Sequence, residues 1–115
     1  MTQSIQHIFE SKQYQNFLGI TVWKDFPGFE MDWHVDNPIL SCAIQIYLFD
    51  FSEKCGTTFL INNQPVKLPF VSNTGYIANH NVQENVLHKP SCVVPAGLTR
   101  YSLYASWSFT EKLPS

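Results

Sequence analysis

Residues 41–49 read SCAIQIYLF, nine positions without a glycine, proline or charged residue. Alternation places Cys42, Ile44, Ile46 and Leu48 on one face of a strand and Ala43, Gln45, Tyr47 and Phe49 on the other. A strand apolar on both sides belongs inside a sheet with material packed against it. Shorter runs of the same texture surround it: Ile20–Trp23, Phe29–Val35, Thr57–Ile61, Val66–Leu68, Gly75–Ala78, Val86–His88, Ser91–Val94 and Arg100–Phe109. Phe26-Pro27-Gly28, Asn37-Pro38, Asp50–Gly56 and Asn62-Asn63-Gln64 punctuate them as turns. Many short strands at short spacing predict an all-β sandwich or barrel. The spacing of Ile5, Ile8, Phe9, Tyr14, Phe17 and Leu18 predicts a short amphipathic helix over 4–18. The whole chain, 1–115, reads as one domain, with a helical or irregular segment 1–19 before a β core at 20–110.

Charge excludes some functions. The net charge is −2 and the basic residues are scattered, which offers no footprint for nucleic acid or an anionic membrane. No apolar run reaches the length of a membrane span, and residues 1–10 lack the basic and apolar regions of a signal peptide. Cys42, Cys55 and Cys92 lie far apart without a CxxC pair, an odd set that predicts reduced thiols and a cytoplasmic protein. Only 14% of residues are charged, which suits a β fold with a lined interior or a surface covered by a partner.

Three groups carry chemistry. In the strand containing His34-Val35-Asp36, positions i and i+2 share a face, so imidazole and carboxylate converge. His88 offers a third ligand, and two imidazoles with one carboxylate form the facial set that holds Fe(II) while leaving positions open. The chain's one arginine, Arg100, follows His88 by twelve residues and shares a face with Ser102. A guanidinium fork beside a hydroxyl is suited to gripping a carboxylate. Plainer readings exist for each: a surface His beside a turn Asp, or an arginine paired with a glutamate. His80, twenty residues before Arg100, competes with His88 as the distal ligand.

The order H-x-D, distal His, then R-x-S resembles the Fe(II)- and 2-oxoglutarate-dependent dioxygenase superfamily, over roughly residues 20–109. HVDNP at 34–38 and Ile46-Tyr47-Leu48 are similar to its prolyl-hydroxylase-like members. Gly56-Thr57-Thr58-Phe59 resembles a G-G-x-x-x-F segment with Cys55 in place of the first glycine, and RYSLYASW at 100–107 resembles the last core strand. The resemblance implies a double-stranded β-helix, or jelly roll. It implies iron held by His34, Asp36 and His88, and 2-oxoglutarate held by Arg100, Ser102 and Tyr47. The implied reaction uses O₂ and releases succinate and CO₂ while hydroxylating a small-molecule or peptide substrate. Family members are usually longer, with N-terminal helices against the major sheet, so a homo-oligomer that covers this sheet is one expectation. Two other functions fit the same barrel: a cupin-like metalloenzyme that does not use 2-oxoglutarate, and a metal-free binding module with Trp23, Trp33 and Trp107 as stacking surfaces.

Overall fold

The computed structural model describes residues 14–80 and 85–110. Seven strands form two antiparallel sheets. They are β1 (Tyr14–Asp25), β2 (Leu40–Leu48), β3 (Thr57–Ile61), β4 (Gln64–Leu68), β5 (Gly75–Asn79), β6 (His88–Pro90) and β7 (Arg100–Thr110). The larger sheet has the order β1-β7-β2-β5 and the smaller the order β4-β3-β6. A single bridge between His34 and His88 adds the stretch around His34 beside β6. A strand is thus expected over Phe29–Val35, and one paired residue is found.

Local chemistry explains the joints. Asn62 and Asn63 both take positive φ, 51° and 62°, the left-handed pair that closes the two-residue hairpin between β3 and β4. A Cβ on Gly75 would run into the carbonyl oxygen of Gln45, so only glycine lets β5 pair with β2 there.

Cross-strand rows define the two faces of the larger sheet. On its inner face, Thr21, Tyr104, Gln45 and Tyr76 lie in one row, and Trp23, Ser102 and Tyr47 in the next. Trp23 stacks on Tyr104 with ring centroids 4.1 Å apart. On the outer face, Ile20, Ala105, Ile44 and Ile77 make one row, and Val22, Leu103 and Ile46 another. The interior is unusually polar: Ser41, Gln45, Thr57, Arg100, Ser102 and Ser106 are all buried, while Ile20, Val22 and Ile77 are exposed. A polar lining between sheets befits a ligand-holding interior more than a solid core.

Two expectations are corrected. Tyr14–Leu18 belong to β1, paired with β7 from Tyr14↔Thr110 onward, so they are strand and not helix. The remainder of the predicted helix, 4–13, lies outside the described residues. The cysteines are not all reduced either. Cys55, at the end of a 3-10 turn (Glu53–Cys55), forms a disulfide with Cys92, and Cys42 is the free, buried thiol. The two partners are 37 residues apart in sequence but have Cα atoms 4.9 Å apart, because β3 and β6 pair beside them. Among the described residues, no helix is long and apolar enough to cross a membrane.

Candidate metal and cosubstrate site

The smaller sheet brings the histidines together through its backbone. His34 N–H donates to the His88 carbonyl at 3.1 Å, and His88 N–H donates back at 2.9 Å. Their rings follow, with centroids 4.4 Å apart, and Phe59 continues the row against His88 at 5.7 Å. Asp36 is placed by Asn85, whose side chain accepts from the Asp36 N–H at 3.1 Å and donates to its carbonyl at 2.8 Å. The Asp36 carboxylate then sits between two histidines. His88 Nε2 is 3.3 Å from Oδ1, and His80 Nε2 is 3.1 Å from Oδ2.

The hydrogen bonds identify the tautomers. His34 Nδ1 lies 2.9 Å from the Asp32 carbonyl and His88 Nδ1 lies 3.0 Å from the Val86 carbonyl. A carbonyl oxygen only accepts, so both Nδ1 atoms carry hydrogen and both Nε2 atoms are left for other partners. Carbonyl oxygens in this role are the usual outer support of metal-binding imidazoles. A bare His88 Nε2 facing a carboxylate oxygen is repulsive unless positive charge lies between them. A second ring proton supplies it, as does a cation. Burial pushes the His88 pKa down, but the bonds to Asp36 and Val86 outweigh it and raise it above 6.5. Burial pushes Asp36 up, yet the hydrogen bonds and charge of His88 and His80 hold it below 3.8.

The donor set therefore has the chemistry for a divalent cation. Among the described residues, no three His, Cys, Asp or Glu side chains are already drawn together as a metal-holding group. For an ion to sit between them, Asp36 Oδ1 and His88 Nε2, now 3.3 Å apart, would have to part.

A cavity of about 100 Å³ lies beside these groups, with His34, Asp36 and His88 on its wall and Arg100, Gln45 and Thr57 further along. Arg100 is 3% exposed. It donates from Nε to the Cys55 carbonyl at 2.8 Å, from one terminal nitrogen to Asp25 Oδ2 at 2.9 Å, and from the other to the Gly56 carbonyl at 3.2 Å. Tyr47 and Phe70 flank the guanidinium, each ring centroid 5.5 Å away. Ser102 and Tyr47 are fully buried and do not line this cavity. Each is one hydrogen bond behind it: Gln45 donates to Ser102 Oγ at 3.0 Å, and Tyr47 OH bonds Thr57 Oγ1 at 2.6 Å.

All six predicted residues thus lie in or directly behind one region. Sequence reasoning missed Asp25, Asn85, Gln45 and Thr57. Gln45 sits on the inner face of a strand that was recognised, so alternation was the available signal, while Asp25 lies two residues past the strand read at Ile20–Trp23. Asn85 was one of several polar residues in a loop and carried none. No family model, curated protein or solved structure gives a significant match to the chain.

Proposed function

We propose that the chain is an Fe(II)- and 2-oxoglutarate-dependent dioxygenase on a double-stranded β-helix. The observation that carries the reading is the pair of imidazoles, His34 and His88, each with Nδ1 bound to a backbone carbonyl and Nε2 left over, beside the Asp36 carboxylate. The strand order supports the fold. With the His34 bridge counted, successive strands pass between the two sheets as large, small, large, small, small, large, small, large.

In this reading His34, Asp36 and His88 hold the iron. Bound iron supplies the redox chemistry that converts O₂, 2-oxoglutarate and a substrate C–H bond into CO₂, succinate and a hydroxylated product. The chain's own residues bind and orient. Arg100 offers its fork to the far carboxylate of 2-oxoglutarate, and the Asp25 carboxylate already on that guanidinium must give way or be joined. Gln45 and Thr57 meet the cosubstrate from the cavity wall, and Ser102 and Tyr47 fix their orientation from behind. Trp23, Phe29 and Met31 form an apolar approach that limits water.

One observation favours a cupin-like metalloenzyme without 2-oxoglutarate: three of the five Arg100 N–H groups are committed to the protein. Anaerobic titration with Fe(II) and 2-oxoglutarate separates the two. The dioxygenase shows the visible charge-transfer band of the metal–keto-acid chelate. His34→Ala abolishes it, and Arg100→Lys needs about tenfold or more 2-oxoglutarate to reach it. Folded, iron-loaded protein without the band overturns the 2-oxoglutarate reading and leaves the cupin-like one.

A further inference from the structure

His80 is not among the three residues read as ligands, yet it touches the carboxylate of one of them, Asp36. It stands just beyond β5, with its N–H bonded to the Ser41 carbonyl at 2.8 Å, and its side chain is 9% exposed. Its Nε2 lies 3.1 Å from Asp36 Oδ2. A carboxylate oxygen accepts, so in this contact His80 Nε2 carries the hydrogen. The other ring nitrogen, Nδ1, is buried without a hydrogen-bond partner among the described residues. Among the described residues, the contact with Asp36 is the one hydrogen bond of the ring.

We propose that His80 is a positioning residue that keeps Asp36 a one-oxygen ligand. The inference rests on the iron-site reading above. A carboxylate with both oxygens free can chelate a metal through both. Here His80 occupies Oδ2 and leaves Oδ1 facing His88 Nε2. The difference matters for an octahedral ion. Two imidazoles and one carboxylate oxygen leave three positions, enough for a two-toothed cosubstrate and O₂. A two-toothed Asp36 removes one of them, and the site then holds cosubstrate or O₂ but not both. Asn85 fixes the backbone of Asp36, His80 fixes its carboxylate, and together they leave it little rotational freedom.

The test compares wild type, His80→Gln and His80→Phe. A glutamine amide can donate from nearly the place of Nε2, while phenylalanine keeps the ring shape without a donor. Anaerobic Fe(II) titration is expected to give His80→Phe about 10–100-fold weaker binding, the usual loss when a ligand's outer support is removed. At saturating Fe(II), His80→Phe is also expected to show a weakened chelate band with 2-oxoglutarate, and His80→Gln to restore both. Phenylalanine behaving as wild type overturns the proposal. So does glutamine failing as badly as phenylalanine, which marks His80 as a ligand. A long-range ¹H–¹⁵N spectrum of the metal-free protein reads the tautomer directly: Nε2–H is expected, and Nδ1–H refutes the contact. If wild type binds no Fe(II), the dioxygenase reading falls, while the spectrum still decides whether His80 holds Asp36.

Discussion

At the level of single residues, most of the polar side chains here are explained by what they face across the sandwich. Arg100 is the clearest case. Its alternation partner Ser102 and its lone status in the chain made it conspicuous in sequence, but its actual partners come from two other places, Asp25 at the end of β1 and the carbonyls of Cys55 and Gly56 in one turn. Removing one member of such a buried pair leaves a charge without a partner, which gives Asp25 a structural part in holding Arg100. Cys42 shows the opposite behaviour. It is fully buried, and burial pushes its thiol up to about 11. At pH 8 only about one molecule in a thousand carries the reactive thiolate. A thiol-titrating reagent under non-reducing conditions is therefore expected to label no cysteine in native protein and one after denaturation. Rapid native labelling would contradict the buried placement.

Among the elements, the tie between β3 and β6 has the largest consequence. The Cys55–Cys92 disulfide closes a span of 37 residues and anchors the turn whose carbonyls hold Arg100. Loop-closure entropy assigns such a link about 2–4 kcal/mol. Cys55→Ala/Cys92→Ala is expected to lose that much in urea unfolding; an unchanged midpoint would mean the link is not formed in solution. Strands were the most legible part of the sequence. Ser41–Phe49 and Arg100–Phe109 were read nearly as found, at Leu40–Leu48 and Arg100–Thr110, because both alternate without interruption. The start of β1 was misread for a physical reason. A bulge between Phe17 and Gly19, where φ is 144°, shifts the register. Phe17 and Ile20 therefore share the outer face at a spacing of three, which imitates a helix. The disulfide was illegible because nothing local links its ends; their approach is a product of strand pairing. Of the candidate site, H-x-D and R-x-S are short-range patterns open to sequence reading, whereas Asn85 and Asp25 reach it only through the tertiary fold.

As a whole molecule, the chain is polar between its sheets and apolar on the outside of the larger one. Ile20 is 62% exposed, Val22 50% and Ile77 45%, and all three belong to continuous outer rows. An apolar sheet face of this kind is a surface that a hydrophobic dye recognises. Folded protein is expected to enhance the fluorescence of an anilinonaphthalene sulfonate, and Ile20→Lys/Val22→Lys to reduce it strongly; no enhancement would show the face already covered in solution. The interior has a different consequence. Gly28 N–H donates to the Val94 carbonyl, Val94 N–H to the Phe29 carbonyl, and His34 exchanges two bonds with His88, so the stretch 28–34 is pinned at both ends to 88–94. That stretch can change its side chains freely but not its length. One residue inserted between Phe29 and His34 would strain the paired bonds that seat His34 against His88 while leaving every candidate residue present in the sequence. Descendants of this chain that keep its chemistry should therefore vary in composition here and carry their insertions and deletions elsewhere.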